Sequence, residues 1–216
     1  MRTTSRVAGA CALGMALLLI GLQSALAAPT RNILVFGDSL SAAYGLRPEQ
    51  GWAALLLQRL RSQGYGYTVV NASISGETSG GGLARLPRAL ALHHPAIVLL
   101  ELGANDGLRG LPLATVRANL IRMIELAEHA HAKVLLLGIR LPPNYGPRYS
   151  GEFAQLYTEL AAKYHVPLVP FLLEKVALDP ALMQSDGLHP DAAGEGPVLE
   201  TVWPYLRPLL QNPSQP

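Results

Sequence analysis

Residues 32–41 read NILVFGDSLS, a short apolar run that changes abruptly into a turn led by glycine. The segment from Asn32 to Phe36 has the length and β-rich composition of a strand buried on both faces of a parallel sheet. Gly37 and Asp38 then indicate a turn, so Ser39 stands directly beyond the strand. In open parallel sheets ligands bind at the carboxyl ends of strands, which makes Ser39 a candidate functional residue.

Outward from this stretch, short β-rich runs alternate with longer segments of helical period. The predicted strands are Asn32 to Phe36, Tyr67 to Ala72, Ala96 to Leu102, Lys133 to Ile139 and Val166 to Phe171. The predicted helices are Gly51 to Gln63, Ser79 to His93, Leu113 to His131, Gly151 to Tyr164 and Gly196 to Leu210. This alternation predicts an α/β fold, a three-layer sandwich in which a five-stranded parallel sheet carries helices on both faces.

The N-terminal segment, residues 1–27, has the pattern of a signal peptide. Arg2 and Arg6 precede an acid-free apolar run from Val7 to Leu22, and the small-residue sequence Ala25-Leu26-Ala27 follows it. We therefore predict export to the periplasm and a mature chain that begins at Ala28. An uncleaved anchor helix is the alternative, but the run is shorter than a comfortable membrane span and ends in a processing site.

We expect the predicted mature chain, residues 28–216, to form one domain and to act as a monomer. Its composition excludes several classes of function. Removing Arg2 and Arg6 leaves 15 basic against 15 acidic residues, and no basic run with interleaved aromatics suggests binding to nucleic acid. Cys11, the only cysteine, lies in the signal segment, so disulfides and cysteine-based metal sites are excluded. We expect a small-molecule partner and no stable membrane anchor after cleavage.

Ser39 is the candidate nucleophile. At a strand end its hydroxyl can attack a carbonyl carbon while its own backbone N–H stabilises the oxyanion that forms. Taken alone, a Gly-Asp-Ser sequence is more often an ordinary turn or helix cap.

Two further motifs follow the second and third predicted strands. Gly76, in Ser75-Gly76-Glu77, allows a backbone N–H to approach a ligand closely, and Asn105, in Gly103-Ala104-Asn105-Asp106, offers a side-chain amide. Both are candidate oxyanion donors. A glycine with positive φ and an Asn-Asp-Gly turn are the structural alternatives. We interpret the nearby Ser79-Gly80-Gly81-Gly82 as the start of a helix, because no lysine follows it as in a phosphate loop.

Near the C-terminus, Asp186 precedes His189 by three residues in a stretch broken by glycine and proline. In a tight loop the carboxylate reaches Nδ1 of the imidazole, which leaves Nε2 to accept the proton of Ser39. Asp191 is a rival for the role of Asp186, and a surface turn with an incidental histidine is the structural alternative. No second histidine or carboxylate has a convincing metal-ligand spacing, so we expect no metal.

Together the four motifs resemble the SGNH, or GDSL, hydrolase family. The matching blocks are Gly37-Asp38-Ser39-Leu40, the glycine of Ser75-Gly76, Gly103-Ala104-Asn105-Asp106 and Asp186-Gly187-Leu188-His189. The resemblance implies a flavodoxin-like fold, a catalytic triad of Ser39, Asp186 and His189, an oxyanion hole made by Ser39 N–H, Gly76 N–H and Asn105 Nδ2, and no cofactor.

Longer stretches resemble bacterial periplasmic members of this family that act as acyl-CoA thioesterase, lysophospholipase, arylesterase and protease. These stretches are Val70 to Gly76, Asn105 to Gly110 and Arg140 to Gly146. Ala104 stands where close relatives often have glycine, and Glu77 stands where they commonly have aspartate. We expect neither departure to affect the proposed chemistry. The segment from Asp191 to Gly196 is less typical of the family.

The predicted function is hydrolysis of acyl esters and thioesters through an acyl-enzyme. A carbohydrate or peptidoglycan O-acetyl esterase is the alternative within hydrolases. A non-catalytic acyl- or glycan-binding module is the alternative from another class, and it predicts binding without turnover that depends on Ser39.

Overall fold

The computed structural model describes residues 31–211, so the predicted signal peptide and Cys11 lie outside the described residues. Five strands, β1 (Arg31–Gly37), β2 (Tyr67–Asn71), β3 (Pro95–Glu101), β4 (Lys133–Leu137) and β5 (Leu168–Val169), form one parallel sheet. Their order is β2-β1-β3-β4-β5, which is the flavodoxin-like order. The predicted α/β fold with a five-stranded parallel sheet is confirmed.

Six α-helices connect or follow the strands: α1 (Trp52–Ser62), α2 (Ser79–His93), α3 (Ala104–Leu108), α4 (Leu113–His129), α5 (Pro147–Tyr164) and α6 (Glu195–Leu206). Short 3-10 helices lie at Pro48–Gln50, Pro143–Tyr145, Pro180–Leu182 and Arg207–Leu209. Of the helices in residues 31–211, none combines the length and the apolar character needed to span a bilayer.

Alternate residues of each strand enter two separate cores. In β1, Leu34 and Phe36 face a core formed with α2, α4 and α5, whereas Ile33 and Val35 face a core formed with α1 and α6. All four side chains are fully buried. The continuous apolar runs of the central strands follow from this double burial, because both faces of a strand must then be apolar. The predicted helices on both faces are confirmed.

The last strand is shorter than the sequence predicts. Val166 to Phe171 was expected to form a strand, but only Leu168 and Val169 pair with β4. Pro167 and Pro170 flank this pair, and a proline has no N–H to donate to the ladder.

Two helices also differ from prediction. The helix expected from Gly151 begins instead at Pro147, which occupies the first helical position, where proline needs no N–H partner. The last helix, expected over Gly196 to Leu210, begins one residue earlier and ends at Leu206.

Glu195 connects the two helices on one face of the sheet. Its side chain is buried, and Oε2 accepts the N–H of Trp52 at 2.7 Å, which caps the first turn of α1. Burial raises the pKa of Glu195 to about 7, and the charge of Asp191 acts in the same direction, while the bond from Trp52 opposes it. The protein therefore favours the neutral form of this carboxyl group.

Glu195→Gln is expected to stabilise the protein at alkaline pH only. A carboxyl group whose pKa rises on folding contributes its full stability below its ordinary pKa, here 4.5, and loses it as the pH rises towards about 7. Glutamine keeps the acceptor for Trp52 and cannot ionise. The free energy of unfolding should therefore rise by about 2–3 kcal/mol at pH 8 and stay unchanged at pH 4. Urea unfolding of both proteins at the two pH values measures this, and an equal change at both would contradict it.

Candidate active site

Three of the predicted site residues form a continuous hydrogen-bond chain. His189 Nε2 lies 2.8 Å from Ser39 Oγ, although 150 positions separate the two residues. On the other side of the ring, His189 Nδ1 lies 2.7 Å from Asp186 Oδ2. When Nδ1 carries the proton and donates it to Asp186, Nε2 presents its lone pair to the serine hydroxyl. This is the geometry of a nucleophile, a base and a carboxylate that orients the base.

The loop from Asp186 to His189 is folded around the carboxylate. Asp186 Oδ1 accepts the backbone N–H groups of Leu188 at 2.9 Å and of His189 at 3.1 Å. Partial burial opposes ionisation of Asp186, but these two bonds and the bond from the imidazole outweigh it and hold the pKa of the carboxyl group below its usual range. Asp186 is therefore a stable anion opposite the imidazole at neutral pH.

Asp191, the alternative candidate for orienting His189, lies in the turn that precedes α6. Its Oδ1 accepts the N–H groups of Ala193 at 2.8 Å and Gly194 at 2.9 Å, immediately before α6 begins. These bonds explain the atypical segment between Asp191 and Gly196, because they turn the chain into the last helix. Within the described residues, the imidazole of His189 contacts the carboxylate of Asp186 and not that of Asp191.

The two backbone donors proposed for the oxyanion hole lie in loops beyond β1 and β2. Within residues 31–211, neither the N–H of Ser39 nor that of Gly76 has a hydrogen-bond acceptor. Gly76 has a φ of 80°, a conformation that favours glycine. The N–H of Gly76, free within the described residues, is compatible with a role as an oxyanion donor, and the positive φ of this glycine is compatible with the structural alternative.

Asn105 lies at the beginning of α3, and its amide is already engaged. Nδ2 donates to Asp38 Oδ2 at 3.1 Å and to the backbone carbonyl of Glu77 at 2.9 Å. The side chain of Glu77 pairs with Arg85 at 2.7 Å, and the expectation that it does not affect the chemistry stays a prediction. The Asn-Asp-Gly stretch, for which a turn was the structural alternative, is part of the short helix α3.

Gln184 and Tyr44 hold the histidine loop against the serine turn. The backbone N–H of Gln184 donates to the carbonyl of His189 at 2.8 Å, and its Nε2 donates to the carbonyls of Tyr44 at 2.7 Å and Pro190 at 2.9 Å. The aromatic ring of Tyr44 lies 4.6 Å from the His189 ring, centroid to centroid. Neither Gln184 nor Tyr44 belongs to a sequence motif, so neither was predicted to support the site.

A cavity of about 590 Å³ opens beside Ser39, Asn105 and His189. Most of the other lining residues are apolar and come from the segments after β3, β4 and β5: Ala104, Leu108, Ile139, Leu141, Pro142, Pro143, Phe171, Leu172, Leu173, Ala177, Leu178, Met183 and Leu188. A reactive serine at one end of an apolar cavity suits a substrate with an apolar acyl group.

A larger but more open groove, about 720 Å³, lies between α1 and α6. Its charged lining includes Arg59, Lys175 and Glu200, but Arg59 is paired with Glu200, and no member of the hydrogen-bond chain borders it. We therefore place the candidate active site in the smaller cavity. No group of three or more histidine or acidic side chains in residues 31–211 is arranged to hold a metal ion.

Comparison with known proteins assigns the family. The model of the GDSL-like lipase/acylhydrolase family matches residues 35–196, which include all the candidate site residues. The chain belongs to this family. It is therefore an acyl hydrolase, and the resemblance found in the sequence motifs is confirmed.

Individual members of the GDSL-like family match over most of the chain. The esterase TesA of Pseudomonas aeruginosa is 54% identical over 196 residues, which cover 91% of this chain and 96% of that protein. The thioesterase 1/protease 1/lysophospholipase L1 of Escherichia coli is 44% identical over 188 residues, covering 87% and 89%. A crystal structure of TesA superposes with a TM-score of 0.82 at 56% identity, covering 83% of this chain and all of that one.

Proposed function

We propose that this GDSL-like hydrolase cleaves acyl esters and thioesters through a covalent acyl-enzyme, with Ser39 as nucleophile, His189 as base and Asp186 as the residue that orients the base. The observation that carries the proposal is the chain from Ser39 Oγ through His189 to Asp186, with bonds of 2.8 and 2.7 Å. The names of the relatives, an esterase and a thioesterase/lysophospholipase, support the same substrate class.

In the first step, Ser39 Oγ attacks the carbonyl carbon of the ester or thioester while His189 Nε2 takes the serine proton. The carbonyl oxygen becomes an oxyanion, which the N–H groups of Ser39 and Gly76 and the amide of Asn105 would stabilise. The tetrahedral intermediate then collapses. The imidazolium returns its proton to the leaving alkoxide or thiolate, and the acyl group stays on Ser39.

In the second step, water replaces the alcohol or thiol. His189 takes a proton from the water, the hydroxide attacks the acyl carbon, and the oxyanion forms again in the same place. Collapse releases the carboxylic acid and returns the proton to Ser39 Oγ. Asp186, held as an anion by its loop, stabilises the imidazolium in both steps.

The size and lining of the cavity favour this function over O-acetyl ester hydrolysis. An acetyl group would fill only a small part of about 590 Å³ and leave most of the apolar lining in contact with water. A longer acyl chain would bury that lining, and each buried methylene contributes about 0.8 kcal/mol to binding. We therefore expect kcat/KM to rise with acyl-chain length from acetyl upwards.

A matched substrate panel tests the proposal. The purified protein and its Ser39→Ala variant would be assayed against acyl-CoA thioesters, lysophospholipids, p-nitrophenyl esters and acetylated glycans. We expect turnover of the first three classes that depends on Ser39, together with a preference for chains longer than acetyl. A preference for acetylated glycans would favour the O-acetyl esterase, and saturable binding without turnover would favour the binding module.

We also propose that the protein acts in the periplasm as a mature chain beginning at Ala28. The proposal rests on the signal-peptide pattern of residues 1–27. Intact mass spectrometry of the periplasmic fraction is the measurement, and exported protein that retains residues 1–27 would contradict it.

A further inference from the structure

Two buried carboxyl groups lie beneath the serine turn, and the proposed mechanism uses neither. Asp38 and Glu101 are both fully buried. Within the described residues, neither forms an ion pair with lysine or arginine. Burial of carboxyl groups without a cation opposes folding, so the presence of two of them at this position calls for an explanation.

Glu101 supports the serine turn directly. It is the last residue of β3 and lies opposite Gly37 in the sheet register. Its Oε2 accepts the backbone N–H of Asp38 at 3.1 Å and the hydroxyl of Ser41 at 2.9 Å. A Cβ atom on Gly37 would lie 2.4 Å from this oxygen, so glycine is needed there to make room for the glutamate.

Asp38 connects this support to the proposed oxyanion hole. Its Oδ1 accepts the N–H of Leu40 at 3.0 Å, which fixes the side chain against the serine turn. Its Oδ2 accepts the amide of Asn105 at 3.1 Å. The second hydrogen of that amide is held by the carbonyl of Glu77 at 2.9 Å, so two acceptors define the plane of the Asn105 side chain. A substrate oxyanion would share one of these hydrogens.

Burial affects the protonation of both carboxyl groups. Burial, reinforced by the neighbouring charge of Asp38, raises the pKa of Glu101 well above its usual range. Burial also raises the pKa of Asp38, to about 6. In its ionised form Asp38 is a stronger acceptor for the Asn105 amide than a neutral group would be.

We propose that Asp38, supported by Glu101, is a positioning residue that fixes the Asn105 amide in the oxyanion hole. This inference rests on the proposed function, because it gives Asp38 a role only through Asn105. Asp38 itself touches no reacting atom. Its contribution should therefore exist only while the amide of Asn105 is present.

A double-mutant cycle on the full-length enzyme tests this dependence. In Asp38→Asn, one carboxylate oxygen becomes an NH₂ group, so the side chain no longer accepts from both Leu40 and Asn105. We expect kcat to fall about tenfold or more with KM within about twofold of wild type, since donors to an oxyanion act in the transition state. In the Asn105→Ala background, the same change should lower kcat by less than about twofold.

Two outcomes separate this inference from the proposed function. If Asp38→Asn slows the Asn105→Ala enzyme as much as it slows wild type, Asp38 does not act through Asn105 and the inference is wrong. If Asn105→Ala alone keeps the wild-type kcat, the proposed oxyanion role of Asn105 fails first. Should Asp38→Asn not fold, Asp38→Ala, which introduces no misplaced NH₂ group, takes its place in the cycle.

One further variant serves as a control. Glu195→Gln replaces a buried carboxyl group between α1 and α6 with an amide that cannot ionise, and it should leave kcat within about twofold of wild type.

Discussion

Ser39→Ala is expected to lower kcat for ester hydrolysis by a factor on the order of 10⁴ to 10⁶, because in the proposed mechanism Ser39 alone forms the acyl-enzyme. His189→Ala should cause a loss of similar size, since the two residues act as one unit. For the same reason the double variant should be no slower than either single one. The fold should survive, because the Ser39 side chain is only partly buried and is not part of either core.

Steady-state kinetics and active-site labelling measure this prediction together. An organophosphonate, which reacts with activated serines, should label Ser39 alone when the labelled peptide is identified by mass spectrometry. Ser75→Ala is the matched control, because Ser75 lies in the neighbouring loop after β2 and should leave both labelling and kcat unchanged. A label on Ser41 or Ser75, or wild-type turnover in Ser39→Ala, would show that the nucleophile is wrongly assigned.

Asn105→Ala is expected to lower kcat by about a hundredfold or more while KM changes little, because in the proposed oxyanion hole the lost donor stabilises charge present only in the transition state. The variant also loses two hydrogen bonds within the protein, to Asp38 and to Glu77. Some decrease in the melting temperature is therefore expected as well. Kinetics and thermal unfolding must be measured on the same preparation.

Asn119→Ala provides the comparison for Asn105→Ala. Asn119 is also partly buried, its Nδ2 donates to Ser79 Oγ at 2.9 Å, and it does not line the cavity beside Ser39. It should lower the melting temperature without a large loss of kcat. If Asn105→Ala behaves in the same way, with kcat near normal and stability reduced, Asn105 is a structural residue and does not belong to the oxyanion hole.

The motifs near the strand ends allowed the fold and the candidate site to be predicted from sequence. Ser39, Gly76 and Asn105 each follow a strand of the predicted sheet, and parallel strands bring such positions to one edge of the sheet. Asp186 and His189 were identifiable because their three-residue spacing in a loop is a local property. The strand-end motifs and the spacing of Asp186 and His189 involve residues that are close in the sequence, so they could be predicted from the sequence alone.

The supporting contacts depend on tertiary structure and were not predicted. Asp38 was interpreted as a turn residue, and its bond to Asn105 spans 67 positions. Gln184 reaches Tyr44 across 140 positions. One signal was present for Glu101, because an acidic residue directly after the apolar run from Ala96 to Leu100 is unusual in a buried strand. The sequence alone does not say which groups it would contact.

Ser39 and His189 are 150 positions apart in the sequence, so the proposed triad depends on segments from both ends of the described chain. In the proposed triad, a growing chain that ends before His189 lacks its base, even after β1, β2 and β3 have paired. The terminal segment returns to the sheet as well, because the N–H of Gln211 donates to the hydroxyl of Tyr67 at the start of β2. If the proposed triad is correct, hydrolytic activity therefore requires the segment that carries His189 to fold back onto the end of β1.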